Sequence, residues 1–345
     1  MVTAMISTIT FGQVQSDIRT ATLVHGDKTS VYYGASALSQ AYADAADKGD
    51  KIILSPGVFY GITIKKSISV YGVGFETDPI SSAEPTTANY IYISYTTETD
   101  AYGNEIDSYP EVYLEGICMP YIYNANEGFR VEASKNSGVL NNLVMKKCKV
   151  WGQFQILNST NNCLFNQCVI RGTTNLNQKI TLSANNNQLS FQNCWILQSL
   201  GGSLTSTITY NHCIITDVYD SGYAHYTNCV IKKSLPSNCT AYNNIFTTSS
   251  IGTNISGEGN YVNIPLSSIF ASENEDGTYE ATKDFALRYP DVHVGTDGTE
   301  IGINGGLYPF DRIPSTPRIL ESNIDLETTS DGKLNVSLKV QAQSK

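Results

Sequence analysis

The sequence predicts an all-β chain wound as a solenoid of parallel strands, a parallel β-helix. Two observations point there: a repeated block in the middle of the chain that alternates with the period of a strand, and a composition suited to strands and turns. Only 16% of the 345 residues are charged, against roughly 25% in an average soluble domain, while Gly, Asn, Ser, Thr and Tyr abound. This mix excludes a coiled coil or a disordered chain. There are 22 Lys and Arg against 32 Asp and Glu, a net charge of -10. Nonspecific attraction to nucleic acid or anionic lipid is therefore not expected. No apolar run is long enough to span a bilayer.

The repeat aligns on cysteine: MKKCKV, FNQCVI, FQNCWI, YNHCII and YTNCVI, followed by YNNIFT, where Ile245 takes the cysteine's place. The anchors Cys148, Cys168, Cys194, Cys213, Cys229 and Ile245 recur at intervals of 16 to 26 residues, as solenoid rounds with loops of unequal size do. Three before each anchor stand Met145, Phe165, Phe191, Tyr210, Tyr226 and Tyr242; five before it, Leu143, Cys163, Leu189, Ile208, Ala224 and Thr240. These share one parity and face inward, whereas the residues between them at two before the anchor are polar and face out. Immediately before the anchor come Lys147, Gln167, Asn193, His212, Asn228 and Asn244. Asn recurs there because it tolerates the left-handed conformation of a sharp corner. Each round then reads strand, corner, strand, loop. The cysteines read as free thiols packed in a buried row, since no CxxC pair favours zinc.

Upstream, ALSQAYADAADKGDKIILSPGVFYG places Ala37, Leu38, Ala41, Tyr42, Ala45 and Ala46 on one helical face, with Gly49 to end the helix. Residues 1–15 read either as a short export signal or as a first strand. A β-helix with its N-terminal cap is expected over residues 16–312. Residues 313–345 form a C-terminal β extension, two strands around a Ser-Asp-Gly turn.

The cysteine-anchored repeat, the helix followed by ITIKKSISVYGVG, and the closing segment DFALRYPDVHVGTDGTEIGINGGLYPF together resemble the right-handed parallel β-helix proteins of the pectin-lyase-like superfamily, in particular secreted β-helix proteins of Bacteroidetes. The resemblance implies an exported bacterial protein, extracellular or at the cell surface, that acts on polysaccharide. Enzymes of that superfamily use Lys or Arg beside calcium, or several carboxylates. Neither the Asp-Asp and Gly-His-Gly motifs of polygalacturonases nor the Arg-x-Pro motif of pectate lyases is present.

The expectation is accordingly binding or a structural role without catalysis. The alternatives are a polysaccharide lyase or glycoside hydrolase, and an oligomeric adhesin or spike shaft. The weak catalytic candidates are Arg171, Asp217 and Lys232, with Asp220 as a second acid near Asp217. Trp151, Arg171, Trp195, Asp217, Lys232 and Lys233 are the candidate ligand contacts, a basic ridge with aromatic neighbours. His212 and His225 read as structural or solvent-facing. No cofactor is implied, although calcium suits the acids Glu98, Asp100, Glu105, Asp107, Glu111 and Glu115.

One outward row is apolar: Val169, Trp195, Ile214, Val230 and Phe246 follow their anchors directly. Such a stripe does not stay wet. The expected cover is the C-terminal extension, residues 318–343; a glycan or a second protomer would be the alternative.

Overall fold

The computed structural model describes residues 19–78, 82–120, 127–171, 180–182, 187–200, 206–218, 223–272, 278–324, 332–333 and 336–341. The protein is all-β, and most of its strands run parallel in three sheets. Sheet A begins with an antiparallel pair, Thr20–His25 with Lys28–Tyr33, and then runs through Lys48–Leu54, Ser67–Tyr71, Val112–Glu115, Val144–Lys146, Thr160–Asn166, Asn187–Gln192, Thr207–Asn211, His225–Thr227 and Thr240–Tyr242. Sheet B holds nine short strands, from Gly57–Phe59 to Ile245–Phe246. Sheet C holds Ile62–Ile64, Tyr90–Ile93, Gly128–Val131, Gln153–Ile156 and Ile180–Leu182. From Lys48 onward the chain passes from A to B to C and returns to A one strand further along. The third sheet is new relative to the two-strand round read from the repeat. Beyond Leu182 the described rounds use sheets A and B alone.

Parallel register puts like over like. Met145, Phe165, Phe191, Tyr210 and Tyr226 are partners on successive strands. The rings of the last four stack at centroid spacings of 4.8, 5.0 and 5.0 Å, the spacing of neighbouring strands. Each pair adds about 0.5–1.5 kcal/mol beyond area burial. The five anchor cysteines are fully buried free thiols. The Cys168 amide donates to Cys194 Sγ and the Cys213 amide to Cys229 Sγ, both at 3.4 Å. Burial pushes the thiols of Cys148, Cys168, Cys194 and Cys213 well above the ordinary range, which keeps them neutral.

The corners behave as the repeat requires, with one correction. Lys147, Gln167, Asn193, His212 and Asn228 all have φ between 48 and 56°. In the last copy the left-handed residue is Asn243, not Asn244. The corner sets the frame, so every row there shifts by one. Asn244, not Ile245, takes the cysteine's place; its Oδ1 accepts from the Cys229 amide at 2.8 Å and its Nδ2 donates to the Tyr226 carbonyl at 3.0 Å. Asn260 repeats the arrangement one round later, accepting from the Asn244 amide at 3.0 Å. Ala241 therefore lies under Tyr226 and Tyr242 is exposed; Cys239 joins the row of Cys163 in place of Thr240; and Ile245 joins the apolar stripe while Phe246 enters the main core.

Helix Ala37–Asp44 buries Ala37, Leu38 and Ala41 against the first strands. It stops before Gly49, which instead bulges strand Lys48–Leu54 at φ 93°. Tyr42 is only half-buried, and its hydroxyl accepts from the Lys65 amide.

The apolar stripe is covered by described residues that precede the C-terminal extension. Val169, Trp195, Ile214, Val230 and Ile245 form a second core with Ile269, Phe270, Tyr279, Phe285, Leu287, Ile301 and Ile303. Residues 264–310 thus supply the cover, and the stripe is unavailable as a protomer surface. Among the described residues, strands Arg318–Ile324 and Val336–Gln341 pair only with each other.

The same return segment is gripped by the corner side chains. Asn243 Nδ2 donates to Val294 O at 3.1 Å, and Asn228 Oδ1 accepts from the Thr296 amide at 2.8 Å. The imidazole of His212 sits between Gly302 O and Asp297 Oδ2, at 3.2 and 2.9 Å. Asn193 Nδ2 donates to Ile303 O and Gly305 O, at 2.8 and 2.7 Å. Gln167 bonds Pro309 O, and Lys147 bonds Asp311 Oδ2 at 3.2 Å. Glu115 accepts from the amide and hydroxyl of Ser315. The segment runs back along the corners in reverse order of the rounds.

Two consequences can be measured. Asn193→Ala loses two hydrogen bonds, each worth about 1 kcal/mol, and replaces asparagine, which tolerates the left-handed conformation, by alanine, for which that conformation costs up to roughly 1–2 kcal/mol. It is expected to lower unfolding free energy by about 2–4 kcal/mol in urea, and Asn193→Gly by less because only the clasp is lost; equal losses would show that the backbone conformation does not matter.

The second concerns acid. Burial works against the Asp297 carboxylate, but hydrogen bonds from Thr299 and His212 outweigh it and hold its pKa below the ordinary range. A lowered native pKa means that this stabilisation is complete above the ordinary carboxylate range, about pH 4, and is lost as pH falls through the native value. Asp297→Asn should flatten the fall in melting temperature between pH 5 and 3; an unchanged slope contradicts the assignment.

Candidate functional site

The residues singled out by the repeat do not meet in one place. Arg171 and Lys232 lie on the same row of sheet B, separated by the strands that carry Leu197 and Thr216. Three strand spacings are about 14 Å, too far for one catalytic centre. Asp217 is half-buried, and its Oδ1 accepts from the Val218 amide at 2.9 Å, closing its own turn. Asp220 lies outside the described residues, as does most of the long loop within residues 173–188. Lys232 is half-buried and Lys233 exposed. Trp195 is 2% exposed beneath the return segment, with Tyr279 against it at 6.0 Å. Its indole is closed to a glycan. His212 is a buried clasp, and the exposed His225 bonds Thr240 Oγ1.

The acidic stretch builds a hairpin, Thr96–Thr99 with Glu105–Ser108, and spends its oxygens internally. Asp100 accepts from the amides of Tyr102 and Asn104, Asp107 from those of Lys135 and Asn136, Glu111 from Asn142, and Glu115 from Ser315. Among the described residues no group of three or more His, Cys, Asp or Glu is placed to hold a metal ion.

Two of the candidates, Trp151 and Arg171, belong to a different assembly that follows sheet C. The Arg171 guanidinium and the Lys149 ammonium each lie 4.4 Å from the Trp151 ring centroid. Lys149 is also paired with Glu76 at 2.6 Å. Two residues after Trp151, Gln153 opens a sheet C strand, and its Nε2 donates to Tyr92 Oη at 3.1 Å. The alternation of Tyr90–Ile93 buries Ile91 and Ile93 and turns Tyr90 and Tyr92 outward; their rings lie 4.6 Å apart. On the next strand Arg130, the outward register partner of Tyr92, places its guanidinium 5.8 Å from that ring. The Tyr90 ring lies on Gly61, where a β-carbon would come within 2.3 Å of it. Only glycine admits the ring there.

Unused hydrogen-bonding capacity collects at the same corner. Asn89 Oδ1, Glu127 Oε2, Arg130 Nε and Trp151 Nε1 are buried and find no hydrogen-bond partner among the described residues. Strand register sets Glu127 between Asn89 and Gly152. Each such atom costs about 1–3 kcal/mol unless something bonds it. Burial also raises the Glu127 pKa above the ordinary range. The assembly therefore offers two guanidinium groups, three aromatic rings and one carboxyl whose proton affinity is enhanced.

Glu127, Arg130, Tyr90 and Tyr92 escape a repeat anchored on cysteine, because Ile117 fills the anchor position in the round of Glu127 and Arg130 and Thr86 fills it in the round of Tyr90 and Tyr92. The inward pairs Ile91 and Ile93, Phe129 and Val131, and Phe154 and Ile156 are the signal that marks this third strand.

Comparison with protein-family models, with curated proteins and with solved structures finds no match in any of the three.

The two tryptophans report on the cover and the ridge separately. In Trp151→Phe the remaining emission comes from Trp195 and should be blue-shifted and resistant to acrylamide. Quenching as ready as in the unaltered protein would mean that residues 264–310 do not seal the stripe.

Proposed function

We propose that the three sheets are faces of one right-handed parallel β-helix, exported to the cell surface or beyond, and that its sheet C ridge binds an anionic polysaccharide without cutting it. The cyclic order of the sheets, the stacked rows and a single inner core lined by all three sheets support the solenoid. The observation that carries the function is the convergence, on neighbouring rounds, of Tyr90, Tyr92 and Trp151 with Arg130 and Arg171. Rings pack against the C–H faces of sugars, and guanidinium groups hold carboxylate or sulfate in bidentate fashion. Of the two carboxyls described at the ridge, Glu76 is tied to Lys149 in an ion pair at 2.6 Å, which leaves Glu127, whereas glycosidase chemistry uses two.

Affinity electrophoresis in gels containing polygalacturonate or alginate tests the reading. The protein should be retarded, less so as salt rises, because exposed charge pairs are screened. Arg130→Ala combined with Arg171→Ala should weaken binding about tenfold or more, equivalent to about 1.4 kcal/mol. No retardation, or shortened polymer chains, would overturn it.

Protonation adds a signed prediction. Neutral Glu127 repels an anionic ligand less than its carboxylate does, so binding should strengthen as pH falls from 7 toward the raised Glu127 pKa. Glu127→Gln should bind more tightly at pH 7 and lose that dependence; a Gln variant with the original profile would exclude Glu127 as the cause.

A further inference from the structure

At the far end of sheet C, where the chain turns back toward sheet A, a cavity of about 640 Å³ opens between Ser137, Asn158, Ser159, Thr160, Asn187 and Gln188. Its described lining contains no charged residue and no aromatic ring. Its walls are held from within. Asn158 is 7% exposed; its Nδ2 donates to Gly138 O at 2.6 Å and its Oδ1 accepts from the Ser134 amide at 3.1 Å. Thr160 Oγ1 donates to Asn187 Oδ1 at 3.0 Å, with both side chains buried. Ser137 sits at φ 55°, a conformation that costs a serine roughly 1–2 kcal/mol and that the surrounding bonds enforce. Ser159 and Gln188 line the cavity from positions that remain open to solvent.

A pocket lined by hydroxyl and amide groups, with Val139 as its apolar side chain, matches a neutral, hydroxyl-rich ligand. An anion there would lose hydration with no cation to compensate it. The pocket and the ridge flank the same sheet: Ser134 follows Arg130 by four residues, and Asn158 follows Gln155, the register partner of Arg130, by three, so roughly 10–13 Å of extended chain separates the pocket from the row of Arg130.

We infer that the pocket is a subsite for an uncharged sugar unit, so the ligand is a mixed polysaccharide that lays its anionic groups on Arg130 and Arg171 and a neutral unit against Ser159 and Gln188. The inference rests on the ridge reading above and narrows it from acidic polymers in general to polymers carrying both kinds of unit.

The test compares three probe classes by affinity electrophoresis: polygalacturonate and alginate as acidic homopolymers, dextran and galactomannan as neutral ones, xanthan and gum arabic as mixed ones. The expected result is that at least one mixed polymer binds tenfold or more tightly than any of the others. Ser159→Ala combined with Gln188→Ala, both at solvent-accessible positions, should erase that advantage and leave binding to the acidic homopolymers unchanged. Equal affinity for acidic and mixed polymers, or a double variant without effect on the mixed ones, overturns the pocket and leaves the ridge standing. Binding to none of the six overturns both.

Discussion

One backbone constraint organises this molecule: in each round from Gly116 to Asn243 a single residue between sheets A and B adopts the left-handed conformation. It fixes which residue follows as the buried anchor, and through the period-two alternation on either side it fixes every inward and outward row. The last copy makes the dependence visible. Moving the corner from Asn244 to Asn243 moves Ala241, Asn244, Ile245 and Phe246 with it, although their side chains alone would fit the other frame as well.

The corner has a second use. A left-handed residue projects its side chain away from the turn, and here a row of Lys147, Gln167, Asn193, His212, Asn228 and Asn243 holds the returning segment by its carbonyls, amides and acids. That segment has almost no strand of its own, so its backbone groups need these partners. In exchange it buries the apolar stripe of sheet B in a second core. Packing, hydrogen bonding and corner geometry are thus satisfied by the same residues, and a change at one corner is felt in both cores.

Much of this was legible in the residues. Stacked cysteines and aromatics announced parallel register because like must lie over like, and the stripe announced a cover because apolar rows are not left wet. What covered it was not legible: the extension after Pro314 has strand periodicity, whereas residues 264–310 have none, and their fit depends on side chains meeting corners 51 to 164 residues earlier. The candidate site was half legible. Trp151 and Arg171 surfaced through the repeat, but Trp195 has the same chemistry as an exposed platform and is buried by the return segment. Arg130, Glu127, Tyr90 and Tyr92 lie in rounds without an anchor cysteine, where only the paired apolar residues of sheet C mark the strand.

Hydrogen exchange on the intact protein at neutral pH tests the central claim most directly. If corner side chains bind the return segment into the fold, peptides spanning residues 293–316 will exchange as slowly as those from the strands of sheets A and B, despite their lack of regular structure. Rapid exchange there, with the sheets still protected, would mean that the segment opens independently and that the corner clasps do not hold it.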